Sequence, residues 1–205
     1  KDREPARREY RLAHDLLAAV ARADWFPDAE TAQIRAIICL VFLGEIDEAE
    51  RRLEVVAVPN RDDEDCGVYW LARGYVNVAR EKYRAAMEDT VQSLLFETKD
   101  LDTFPDALLL SARCYEELQE WHRARDVYYE VARLFGRTYW GQFAVARLQH
   151  ILAKGLTDAP EPRQIANVFF GIEEDMNGKA RDLLAGKLET GGDRGQKEQE
   201  ERRDK

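Results

Sequence analysis

Three alanines, Ala49, Ala86 and Ala124, stand 37 and 38 residues apart, and each follows a large apolar residue (Ile46, Tyr83, Trp121) by three positions. A fixed period of this length marks a chain built from repeated units. Each unit reads as helix, tight turn, helix. Apolar residues recur three and four apart, the period of an α-helix, and strand-like alternation is scarce. An Ala just inside the second helix lets it approach the first closely. The bulky residue one turn earlier fills the space beside the turn. One hairpin cannot bury its apolar face alone, so hairpins must stack.

The pattern predicts helices over residues 5–23, 28–43, 46–57, 66–79, 81–97, 105–118, 121–135 and 138–154, with Gly44, Gly136 and Gly155 as stops. The phrase FPDA occurs twice, at residues 26–29 and 104–107. It reads as a helix start: an apolar anchor, Pro, an Asp able to cap, and Ala to open the helix. Residues 158–162 (DAPEP) read as a linker. Beyond them Ile165, Val168, Phe169, Ile172 and Met176 form another apolar stripe, followed by Leu183, Leu184 and Leu188. No apolar side chain follows Gly191, so the end of the chain has nothing to bury. The expected organisation is an N-terminal helix (1–27), helical repeats (28–157), C-terminal helices (158–190) and a solvated, disordered charged tail (191–205).

Composition narrows the function. The net charge of −9 argues against a nucleic-acid backbone as the main partner, because Lys and Arg drive that binding. The longest apolar run, residues 37–43 (IICLVFL), is far shorter than the roughly 20 residues a membrane span needs. The sequence begins at Lys1 rather than Met, as expected of a processed or cut chain, so the lack of a leader assigns no compartment. Three cysteines without a CxxC pair, and three histidines at no ligand spacing, suggest neither a disulfide framework nor a metal site. Cys39 and Cys114 each lie ten residues before an alanine of the repeat, which points to small core residues. Cys66 follows an acidic run that blunts its reactivity. Glu116, Glu117 and the acidic runs at 62–65 and 173–175 read as solvated faces and loops rather than an acid–base pair. No HExxH, GxSxG or phosphate-loop motif is present. The expectation is a non-catalytic chain without a cofactor.

The hairpins resemble the tetratricopeptide repeat family, whose motif runs W-x2-L-G-x2-Y, then A-x3-F, then P. The last copy places Leu108, Ser111, Ala112, Tyr115, Ala124 and Tyr128 at those spacings. The middle copy supplies Trp70, Gly74 and Ala86, with Arg73, Asn77 and Thr90 departing from the pattern. The first supplies Ala36, Leu40, Ala49 and Leu53, with Gln33 at the Trp place and Ile37 at the Gly place. In flavour the last copy is similar to repeats of bacterial cell-envelope proteins. The resemblance covers about residues 28–135. It implies an all-α, right-handed solenoid of helical hairpins and a protein or peptide partner held in the groove.

By the same resemblance, the groove would be lined by Ile34, Ile38, Val41 and Phe42, then Leu71 and Tyr75, with Val78 and Ala79 beyond, and in the last copy Leu109, Arg113, Glu116 and Glu117. The first of these helices is apolar all round, so something must cover it on every side. The cover is either the chain's own terminal helices or a partner's segment. In the second case the apolar residues supply affinity, and Arg113, Glu116 and Glu117 set orientation. In the first case the chain is a structural module, with its helical tail as a route to homo-oligomers.

Overall fold

The computed structural model describes residues 4–23, 25–60, 63, 65–96 and 102–156. The chain divides into two units, Lys1–Asp158 and Ala159–Lys205, and everything described here belongs to the first. The linker, C-terminal helices and tail expected from the sequence (158–205) lie outside the described residues.

The described residues form eight helices and no strand: α1 (Glu4–Ala21), α2 (Ala29–Leu43), α3 (Ile46–Val55), α4 (Cys66–Ala79), α5 (Tyr83–Leu95), α6 (Thr103–Glu117), α7 (Trp121–Leu134) and α8 (Tyr139–Ala153). The fold is all-α. Each helix packs on its neighbour in sequence. In addition α2, α4, α6 and α8 pack in series, each on the next. Two buried clusters follow from this order. Ile34, Ile37 and Leu40 of α2 meet Leu53 of α3 and Val68, Tyr69 and Ala72 of α4. Leu71 and Val78 of α4 meet Ala86 of α5 and Ala107, Leu110 and Cys114 of α6. Ala49, Ala86 and Ala124 are all fully buried, as their crowded place at the hairpin crossings requires.

The turns after α2, α4 and α6 share one geometry. The residue five places before each crossing alanine, Gly44, Glu81 or Gln119, is left-handed, with φ of 82°, 60° and 61°. The next N–H then reaches back five residues: Glu45 to the Leu40 carbonyl (2.9 Å), Lys82 to Asn77 (2.8 Å) and Glu120 to Tyr115 (2.8 Å). These bonds satisfy carbonyls that a helix end leaves open. The end of α8 repeats the device, with Gly155 at φ 61° and Leu156 bonded to Ile151 at 3.2 Å.

Two expectations about helix starts need correction. Asp28 precedes α2, but its side chain makes no capping hydrogen bond. The second FPDA lies inside α6 rather than before it, because that helix begins at Thr103. Pro105 is tolerated there since the first helical N–H groups have no partner within the helix. Asp106 turns away from the helix end altogether and binds Trp140 of α8 at 2.6 Å. Gly136 lies in the turn between α7 and α8, where α8 instead takes its cap from the Thr138 hydroxyl, which accepts from the Gly141 N–H.

The three departures from the repeat pattern in α4 and α5 have a structural reason. Asp89 of α5 is fully buried. It accepts from Arg73 Nε at 2.9 Å, Arg73 Nη2 at 2.8 Å and Asn77 Nδ2 at 2.6 Å. Arg73 and Asn77 lie one turn apart on α4, so one buried carboxylate requires both. Gly74 sits between them. A Cβ there would meet Leu110 Cδ2 at 3.0 Å and Asp89 Cβ at 3.6 Å, so the missing side chain permits the close approach of α5 and α6. Thr90 donates back to the Met87 carbonyl within α5.

Candidate functional site

A cleft of about 620 Å³ opens between α1, α2, α4 and the end of α6. Its position follows from the character of α2, which carries apolar residues on every face. One face fills the first core cluster. The opposite face receives α1, an amphipathic helix that lies along α2. Between them the side chains of Tyr10 and Phe42 stack, with ring centroids 4.7 Å apart and planes 13° from parallel. Phe42 also meets Tyr75 of α4 edge to face at 5.1 Å. The three rings form a continuous aromatic wall of the kind that gives an apolar surface geometric preference. Phe42 remains 39% exposed.

Among the described residues, the charged side chains lining the cleft are Arg7 and Arg113. Arg7 Nη2 donates to the Leu43 carbonyl at 3.1 Å, where the exposed carbonyls at the end of α2 favour a cation. Arg113 is exposed. Its charge acts on the phenols of Tyr75 and Tyr83, favouring ionisation, but burial outweighs it. Desolvation holds the Tyr75 phenol well above its ordinary range and also raises that of Tyr10. Both phenols stay protonated at neutral pH.

The sequence-derived groove residues separate into three groups. Val41, Phe42, Tyr75 and Arg113 line the cleft together, with Val78 and Ala79 beside them. Ile34 and Leu71 turn the other way and are buried in the two core clusters, while Ile38 is half-buried and packs against both. Leu109 is half-buried outside the cleft lining. Glu116 is drawn off by Arg147 of α8, which donates to it through Nε at 3.0 Å and through Nη2. Glu117 is exposed and acts electrostatically on Tyr83. The sequence did not assign Arg7 and Tyr10 to the cleft. Tyr10 shares a helix-spaced apolar stripe of α1 with Ala13, Leu17 and Val20, and Arg7 stands one turn before it.

Other polar groups are occupied by structure. Asp106 carries a raised carboxyl pKa because it is desolvated, offset by the Trp140 indole and the charge of Arg35. Asp89 is raised by desolvation as well, opposed by Asn77 and Arg73. All three cysteines are buried, and burial pushes the Cys114 thiol to about 11. Among the described residues, no group of three or more His, Cys, Asp or Glu is placed to hold a metal ion. Among them too, no helix is long and apolar enough to cross a membrane.

No protein-family model, curated protein or solved structure matches the chain.

Proposed function

We propose that the chain is a non-catalytic protein-interaction module, a tetratricopeptide-like solenoid whose cleft receives a peptide or helix from a protein partner. The observation that carries this reading is the cleft itself: an aromatic wall of Tyr10, Phe42 and Tyr75 with Arg113 exposed at its edge. Apolar concave surfaces with a few placed polar groups are where ligands bind. The solenoid part of the reading is supported by the shared turns after α2, α4, α6 and α8 and by the serial packing of those helices. Apolar groups of the partner segment meet the rings, while Arg113 and the two phenols orient its polar groups.

The test is capture of a partner from lysate of the source organism by the wild-type chain, Arg113→Glu and Tyr75→Ala, with circular dichroism as the fold control. A protein held by the wild type and lost by both variants supports the reading. Equal capture by all three, or none, removes it.

A second reading has its own support. Tyr10 covers Phe42 from within the chain, and α1 lies along the apolar face of α2. On that reading α1 is the cover, and the chain serves a structural or oligomerising role.

A further inference from the structure

The rings and the cations of the cleft form one continuous series. Arg7 lies one turn before Tyr10 on α1. Tyr10 stacks on Phe42 of α2, and Phe42 meets Tyr75 of α4 edge to face. The charge of Arg113, on α6, then acts on the Tyr75 phenol. The order follows the packing of the helices, since α1 lies on α2, α2 on α4 and α4 on α6. A cation therefore flanks the aromatic wall at each end.

Both cations keep capacity for a ligand. Arg113 is exposed, and among the described residues it has no hydrogen bond or ion pair. The carboxylates that follow it on α6 do not neutralise it. Glu116 is held by Arg147, and Glu117, one turn along, acts on Tyr83 without closing an ion pair to Arg113. Arg7 is also exposed and gives one of its five N–H donors, on Nη2, to the Leu43 carbonyl. Neither guanidinium can lose its charge at any ordinary pH. Tyr10 and Tyr75 add no negative charge at neutral pH, because burial raises both phenols. The described lining of the cleft is thus positive, in a chain whose net charge is −9.

Building on the reading of the cleft as a peptide site, we propose that its occupant is an acidic–apolar–acidic segment of another protein. Aliphatic or aromatic side chains of that segment lie on the Tyr10–Phe42–Tyr75 wall, and an Asp or Glu side chain at each end meets Arg113 or Arg7. A carboxylate on a guanidinium forms a charge-assisted, often two-pronged hydrogen bond, stronger where rings exclude water. Side-chain carboxylates fit better than a chain terminus, which brings one carboxylate to a series with a cation at either end. One guanidinium at each end suits a single negative charge, whereas a phosphate group is taken by clusters of arginines. The excess of negative charge over the whole chain repels an acidic segment, so the cleft is where that segment is accepted, and the two cations set its register.

The test is selection of short random peptides, displayed on phage, against the full wild-type chain, followed by affinity measurements on the selected peptides. Peptides carrying Asp or Glu on both sides of apolar residues are expected. Replacing either acidic residue by its amide should weaken binding roughly tenfold. In Arg113→Gln one of these two losses should vanish, and in Arg7→Gln the other, which assigns each carboxylate to its arginine. Both arginines are exposed, and unchanged circular dichroism checks the fold of the variants. Selected peptides with no acidic preference, or with equal affinity as acid and amide, overturn this proposal while leaving the cleft a peptide site. An acidic preference that is the same in both arginine variants overturns it too, because the peptide then binds elsewhere. If no peptide is retained, as when the chain's own residues fill the cleft, the reading of the cleft as a peptide site falls together with this proposal.

Discussion

Asp106 and Trp140 are joined across 34 residues by a 2.6 Å hydrogen bond from the indole N–H to the carboxylate, tying the start of α6 to the start of α8. The bond is partly buried, and its loss leaves a donor without a partner. Asp106→Ala is expected to cost about 1–3 kcal/mol in urea unfolding at neutral pH, the usual penalty for a stranded polar group. Asp106→Asn keeps an acceptor and is expected to cost far less.

The same residue gives a pH signature. Desolvation raises the Asp106 carboxyl above its ordinary value of 3.8, so the folded chain holds this proton more tightly than the unfolded one. In the window just above pH 3.8 this group makes stability fall as pH rises. A series of unfolding curves from pH 4 to 7 is expected to show that component in the wild type and to lack it in Asp106→Asn. An unchanged slope would mean the carboxyl is not perturbed.

The Asp89 cluster should behave as a unit. Asp89→Ala strands Arg73 and Asn77, whereas Arg73→Met leaves a buried carboxylate with Asn77 as its donor. Because the Arg73 side chain is 42% exposed, its loss is expected to cost about 1–3 kcal/mol rather than the full cost of breaking a buried pair. The double variant should cost less than the sum of the two by about 1 kcal/mol or more in a double-mutant cycle. Strict additivity would show that the two side chains are not coupled.

The left-handed turn residues predict effects of opposite sign. A Cβ on Gly44 meets no atom within 4 Å, so Gly44→Ala is destabilising through backbone conformation alone, by about 1 kcal/mol. Gln119→Gly relieves the same strain and is expected to stabilise by roughly 0.5–1 kcal/mol, after the added freedom of the unfolded chain is subtracted. Thermal melts of the two variants should move in opposite directions.

The thiols should be silent in the folded chain. Burial raises both Cys39 and Cys114, the latter to about 11, and Cys66 is only 1% exposed. The thiolate is the reactive form. Titration with a disulfide reagent at pH 8 is expected to run at least a hundredfold slower before denaturation than after it. A fast-reacting equivalent in the native chain would place one thiol at the surface.

The helices were legible because their signals are local. Apolar spacing sets each segment, and the observed ends fall within two residues of those expected. The crossing alanines were legible for steric reasons, since only a small side chain allows that approach. Other features were hidden because their causes are distant or are not written in side chains. FPDA looked like a cap from its own letters, yet the partner of Asp106 lies 34 residues away. Glu116 looked solvent-facing until α8 brought Arg147 to it. Arg73 and Asn77 looked like departures from a pattern until Asp89 joined them. Glu81 and Gln119 carry no mark of a left-handed backbone, which Gly44 announces. The cleft was legible in part, through Val41, Phe42, Tyr75 and Arg113, because those side chains follow helix register. Ile34 and Leu71 share the apolar character but point into the core, which register alone did not separate.

The order of packing carries a kinetic consequence. Each helix finds its main partners one or two places along the chain, so few loops must close over long distances before native contacts form. Chains of this kind fold fast, and their folding slows as contacts become more distant in sequence. A hairpin emerging from the ribosome can already pair its two helices. The next hairpin then assembles on a surface that is finished, so synthesis and folding can advance together from the first helix onward.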